Sequence, residues 1–475
     1  MGASARPAAL AAPPSRLSLG ALAWIALAEL LLLLLGWKLG SLAWPLAGAF
    51  AVAFALVAYR SPETAWILVW IATPFSREIV VVGGAAVSVP TEPMMAVAVG
   101  VWILRRWPWR EGSAGPRSIT RPLFVLAAIA LVSIAVSRFP FEGMKAWMMA
   151  ALYVVFGYLY FVSTPFDARR AKLWMALGVL LASLLSIYAS YRVLSAGIGV
   201  RSAYGAARPF FPEHGTFSAY LAFFLPVAIV QSLARERGRL LWTLGSAAIL
   251  VGIVLSFTRA AWLSAVFVLP LLLVSWMLGR GGASRLWLPL TIVALVSAWI
   301  GTSRVADPFL GHARTIVNSG NVSNLERVNR WMAAAEMIRA RPLTGVGYGV
   351  YPEAYHQYRR KSIVTDQALT TFGVHNELLR ILSETGWPGL AACLWFVGSV
   401  AVVGFRTFLD RPGSAEGRLA LGLILGLTTY AVHSLFNSYL GIDKITTPFW
   451  VFLGMTAALG SARTSNAAPD EKDAA

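Results

Sequence analysis

Runs of roughly 16 to 20 apolar residues recur along this chain, and each is about what one helical crossing of a bilayer core requires. Nothing else in the sequence limits its fold so strongly. In hydrocarbon every backbone N–H and C=O must be satisfied within the segment, which makes each run a helix. Only 13% of residues are charged and 57% are hydrophobic, with 19 Trp, whereas a soluble domain carries about 25% charge. The expected fold class is all-α: a polytopic integral membrane protein of about 14 transmembrane helices (12–14), with a large outer-face loop carrying short amphipathic helices.

The runs fall near 17–36, 41–59, 64–83, 91–105, 122–138, 145–163, 173–192, 215–234, 240–257, 260–278, 286–301, 387–405, 419–433 and 446–460. The third holds Pro74 and Arg77-Glu78, which can break it. With the N-terminus in the cytoplasm, the basic clusters at 60, 105–110, 169–172, 235–239, 280–285, 406–418 and 463 all fall on the cytoplasmic side, as the positive-inside rule requires. The C-terminus returns there too. The links bearing Arg201/Arg208, Arg259, the 302–374 segment and His433–Lys444 then share the outer face. This predicts four regions: a bundle of about 11 spans over 1–301, an outer-face loop capping the site over 302–376, further spans over 377–461, and a disordered cytoplasmic tail over 462–475.

The net charge of +18 does not point to nucleic acid, because the basic residues sit at span ends, where headgroups favour them. The single cysteine, Cys393, lies in an apolar run, so an intrachain disulfide is excluded. The first run is Leu-rich and followed at once by another, which is not the pattern of a cleaved signal.

The segment from Gly301 to Glu377 is the one long polar stretch, and it is too long for a plain connection. Between Arg304 and Asp366 it carries nine Arg or Lys against five Asp or Glu. Leu325–Leu343 reads as an amphipathic helix capped by Ser323 or Asn324, ended by Arg341-Pro342, and suited to the membrane surface. Arg327, Trp331 and Ala334 share one of its faces, and Glu326 can pair with Arg330. Gly345–Gly349 (GVGYG) is either an anion nest or a simple turn. His375 then sits at the first turn of a short helix that Gly386 ends; Asn376 follows it, and Glu377 or Glu384 either orients it or stays exposed. An imidazole there can take a proton from an attacking hydroxyl.

Other candidates lie outside this segment. Arg259 stands between two apolar runs, where a charge is expensive to leave without a partner. Arg208 is a candidate phosphate ligand, Glu213-His214 a polar edge, and His433 and Asn437 share a helical face near the outer boundary. Asp443-Lys444 reads as an ion pair or a ligand group. Planar guanidinium groups lining an outward cavity suit phosphate oxygens. His356 and His375 lack metal-site spacing, so no metal and no cofactor are expected.

In order along the chain stand TRAAWLS after Phe257, RVNRWMAAAEMIRARPLTGVGYG from Arg327, and GVHNELLRILSETGWPGL from Gly373. This succession resembles the bacterial O-antigen ligase and O-antigen polymerase group of polytopic membrane glycosyltransferases, over roughly 205–400. The resemblance implies transfer of a glycan from undecaprenyl diphosphate, on the periplasmic face of the inner membrane, to a sugar hydroxyl. The acceptor would be a carrier-linked repeat or lipid A–core; a flippase and a chain-length regulator are partners it suggests. It places the proposed base on His375 and the diphosphate-holding arginines on Arg259 and on Arg327 or Arg330. The chain departs from the family pattern at Glu213-His214, so no role passes to His214, and Thr258 stands where the family's Ser-Arg pair has Ser.

The expected function is thus metal-independent, inverting glycan transfer. His375, Arg259 and Arg327 would do the chemistry, with Arg208, Arg330, Trp331, Asn376, Glu377 and His433 binding substrate. Fourteen spans favour a polymerase; the alternatives are an O-antigen ligase and, in another class, a lipid or polysaccharide transporter with broken midplane helices.

Overall fold

The computed structural model describes residues 43–80, 86–106, 115–234, 236, 238–278, 322–359 and 373–465. The expected runs at 17–36 and 286–301, His312, and the tail beyond 465 lie outside the described residues. The chain forms two compact units, one of 1–69 with 92–110 and one of 70–91 with 111–475.

The first unit holds α1 (Ala43–Arg60), most of α2 (Pro62–Ala72) and α3 (Thr91–Arg106). Trp66 and Trp102 pack edge to face at 6.1 Å, and the Arg105 guanidinium donates to the Tyr59 carbonyl while lying over its ring. The expected span at 64–83 is corrected here. α2 stops at Ala72, Pro74 enters a tight turn at Thr73–Phe75, and the chain becomes an antiparallel hairpin of β1 (Arg77–Val80) and β2 (Ala86–Val89). Proline withdraws an N–H donor, and the β-branched residues that follow are better suited to a strand.

The second unit is helical. α4 (Arg117–Ala135) is followed by α5 (Pro140–Ser163), which contains one π turn at Val155–Leu159. Next come α6 (Ala168–Ala196), the short α7 (Val200–Tyr204), α8 (His214–Ser232), α9 (Arg239–Leu255) and α10 (Arg259–Leu278). After the polar segment's α11 (Val322–Ala340) and α12 (Tyr351–Tyr358) come α13 (Glu377–Asp410), α14 (Ala415–His433) and α15 (Asp443–Ser465). Five described helices are long and apolar enough to cross a membrane: α4, α5, α6, α8 and α13. The protein is an all-α membrane protein; the full expected count is not reached among the described residues.

α8 is apolar all round, and every residue from Gly215 to Ser232 is buried, as a helix in the middle of a bundle must be. A second core joins α4, α5, α13, α14 and α15 through Leu123, Tyr158, Phe396, Ile424 and Leu453. The basic links at 169–172, 235–239 and 411–418 gather at one end, where the Glu236 carboxylate accepts from both Lys172 and Arg418. The polar links gather elsewhere and contain the candidate site.

The amphipathic helix α11 does not give its apolar face to a membrane surface. Ala333, Ala334 and Met337 are fully buried against Val346, Val350, Tyr351 and Tyr355, with Val374 completing the cluster. Its backbone begins at Val322, ahead of the expected caps, and ends at Ala340 just before Arg341-Pro342.

Candidate functional site

His375 sets the geometry of the site. It precedes α13 rather than sitting in its first turn, and its backbone is left-handed at φ 55°. A non-glycine residue held there costs about 1–3 kcal/mol and persists only where its surroundings fix it. Those surroundings are specific. The Arg330 Nη1 donates to the Gly373 carbonyl at 3.1 Å. Asn376 caps α13, its Oδ1 accepting from the Leu379 N–H at 2.9 Å, while its Nδ2 donates to the Leu435 carbonyl at 3.0 Å. The Glu377 N–H donates to the Ser434 carbonyl at 2.8 Å. The end of α14 therefore clamps the start of α13.

From there the contacts close a ring. His433, fully buried at the end of α14, pairs its Nδ1 with Asn437 Nδ2 at 3.3 Å and packs against Tyr439, ring centroids 5.6 Å apart. Its Nε2 is buried without a hydrogen-bond partner among the described residues. The Tyr439 hydroxyl donates to Glu213 Oε1 at 3.2 Å. One residue on, the His214 carbonyl accepts from Thr258 Oγ1 at 3.3 Å. Thr258 lies between Phe257, the other left-handed non-glycine residue (φ 51°), and Arg259, which opens α10. Segments 213–216, 257–259, 327–331, 373–377 and 433–439, far apart in the chain, meet here.

The charge distribution shows what they surround. Burial first, then the charge of Arg259 and, less strongly, that of Arg330, make the Arg327 guanidinium hold its proton less tightly than usual. The Glu213 carboxylate acts in the opposite sense, as the least of these effects. Among the described residues the Arg327 guanidinium makes no hydrogen bond or ion pair. Burial first, then the charges of Arg330 and Arg327, lower the His375 imidazole to about 4. A half-buried neutral imidazole beside a group of guanidiniums can accept a proton while an anion is held nearby.

Not every expected site residue joins this group. Arg208 is exposed, and its Nε donates to the Pro212 carbonyl at 3.1 Å within its own turn. Arg330 is buried at 3% exposure and, by holding Gly373, supports the turn that carries His375. Asn376 is engaged as the cap. Among the described residues Glu377 makes no hydrogen bond to His375, and it is not exposed: it is buried and paired with Arg380. Trp331 packs against the α11–α12 core. His356 is exposed on α12 beside Tyr355.

The glycine stretch Gly345–Gly349 serves the protein's own α13: the Gly349 backbone donates to the Glu384 carboxylate. Gly345, Gly347 and Gly349 all take positive φ. The Val346 and Gly347 N–H groups donate to the Ser383 and Glu384 carbonyls, and the Tyr351 N–H to the Glu384 carboxylate at 3.3 Å. A Cβ on Gly345 would stand 2.2 Å from the Glu384 backbone carbon, so only glycine fits. Gly386 (φ 69°) kinks α13, and the Trp387 N–H past the kink reaches the Pro342 carbonyl at 2.9 Å.

One contributor escaped the sequence reading. Tyr439 carried no motif, and its only signal was its place beside His433 and Asn437 in the 433–444 link. Asp443-Lys444 form a strut rather than part of the site: Lys444 Nζ donates to the Pro74 and Ser76 carbonyls at 3.1 and 2.5 Å, and Asp443 accepts from Ser76 Oγ.

The fold and this site define an integral membrane protein with a cationic, histidine-bearing polar site. Residues 244–394 match the family described as O-antigen ligase, and over that stretch the chain is similar to the O-antigen ligase and polymerase group. The match takes in Arg259, Arg327, Arg330 and His375 and supports glycan transfer by a membrane enzyme at the level of the family. No curated protein matches the chain.

Proposed function

We propose that the protein transfers a glycan from undecaprenyl diphosphate to a sugar hydroxyl, on the periplasmic face of a bacterial inner membrane, with 302–376 as the cap over the site. The observation that carries this reading is the meeting of Arg259, Arg327 and Arg330 with His375. The acceptor hydroxyl oxygen attacks the anomeric carbon, and its proton passes to a His375 ring nitrogen. The bond from that carbon to the phosphate oxygen breaks, and its electron pair leaves with the carrier diphosphate. Arg259 and Arg327 stabilise the charge that grows on the departing oxygens. Because diphosphate is already a good leaving group, the carboxylate pair of glycosidases is unnecessary, and direct displacement inverts the anomeric carbon.

Elongation of a carrier-linked repeat is the first reading. Ligation to lipid A–core is the second, favoured by the description of the matching family. The test offers the purified protein a carrier-linked glycan with each acceptor in turn. Products lengthening on the carrier mean polymerisation, and products on lipid A–core mean ligation. No product with either acceptor overturns the proposal.

A further inference from the structure

Glu213 is an acidic group among cations. It occupies the N-cap position of α8, yet its side chain makes no capping hydrogen bond to that helix. Its Oε1 instead accepts from the Tyr439 hydroxyl at 3.2 Å and from Thr216 Oγ1 at 3.3 Å. Gly215 makes the first contact possible, since a Cβ there would stand 2.5 Å from the Tyr439 oxygen. The next residue's carbonyl is tied to Thr258, the neighbour of Arg259. The carboxylate is thus fixed from both sides within the ring of segments that carries Arg259 and Arg327, and its negative charge favours the charged form of Arg327, as the least of the effects acting on that group.

We propose that Glu213 is a positioning residue that acts as a built-in competing anion, weakening the grip of Arg327 on a lipid diphosphate so that the spent carrier can leave. This rests on the transfer reading above. Arg259 and Arg327 facing one diphosphate, with Arg330 behind them, would hold the product as firmly as the donor, and tight uniform binding does not raise turnover. A fixed carboxylate lowers the affinity for both and shortens the time the product stays bound. Tyr439 sets the strength of the competition, because its hydroxyl takes up part of the charge on Oε1.

The test measures binding of undecaprenyl diphosphate, with inorganic diphosphate as a second probe, to the full-length protein in detergent, alongside steady-state transfer. Glu213→Gln is expected to bind the carrier diphosphate about three- to tenfold more tightly. Its KM for the donor should fall, and kcat should fall with it as release slows. Tyr439→Phe is expected to move the other way, with binding weakened about two- to fivefold as the carboxylate charge turns fully on Arg327. Glu213→Asp should restore most of the wild-type values. A purely structural Glu213 predicts that the first two variants both weaken binding, and that result, or unchanged binding in Glu213→Gln, overturns the proposal. Wild-type protein that binds no carrier diphosphate overturns the transfer reading itself.

Discussion

Two arginine centres stand a short way apart in this molecule, and they are opposites. Arg380 on α13 is enclosed by carboxylates: it pairs with Glu377 and, at 2.8 Å, with Glu384, whose other contacts come from the glycine stretch and the Tyr351 N–H. Arg327 on α11 faces Arg259 and Arg330, with Glu213 as the acidic group that favours its charge. In the first centre the charge is matched within the chain, so the arginine holds elements together. In the second, cations are gathered against their own repulsion, which raises the affinity for an incoming anion. The contrast shows why counting arginines in a sequence does not locate a binding site.

The largest expected effect belongs to the second centre. His375→Ala should lower transfer about 10²- to 10⁴-fold while the protein still inserts. Full transfer in a purified assay would remove its role as base.

The first centre should answer in stability. Arg380→Ala or Glu384→Ala leaves a buried charge without its partner and should destabilise the fold by about 3–5 kcal/mol in denaturant or thermal unfolding. Arg327→Ala should change stability by less than about 1 kcal/mol. Equal losses in the two centres would erase the distinction between them.

In function the order should reverse. Arg259→Ala and Arg327→Ala should each reduce kcat/KM about 10²- to 10³-fold, as expected when a group that stabilises developing charge is removed. Undiminished carrier binding in either variant would take that arginine out of the site.

The smallest effect, and the sharpest, is in pH dependence. His375 is held at about 4, below its ordinary value of 6.5. The unfolded chain therefore takes up a proton between those values that the folded protein refuses. The stability this group contributes is complete above pH 6.5 and lost as pH falls through about 4. Because the neutral imidazole is the base, kcat/KM should fall on the acid side near pH 4 in the free enzyme. Bound diphosphate offsets the charges of Arg330 and Arg327, so the acid limb of kcat should lie higher than that of kcat/KM. Coincident limbs would show that the arginines do not face the bound substrate.

Much of the helical framework could be read in advance, because each apolar run carries its own requirement for internal hydrogen bonding. The runs at 122–138, 215–234 and 387–405 became α4, α8 and the part of α13 beyond the Gly386 kink. The run at 64–83 did not, since Pro74 ends α2 and the residues beyond it pair as a hairpin. Within the polar segment the order Arg327, Arg330, His375 was visible. What each residue touches was not: Arg330 holds Gly373, Asn376 caps a helix, and the glycine stretch donates to Glu384.

The sequence by itself determined that this chain is a membrane-embedded bundle of helices and that its basic and polar links alternate along it. Hydrophobicity and proline act locally, so their consequences are written residue by residue. Tertiary structure alone decided which arginine meets a carboxylate and which meets other arginines. Coulomb interactions depend on distance in space, and that distance is set by segments such as Glu213, Arg327 and Tyr439, which no local rule brings together.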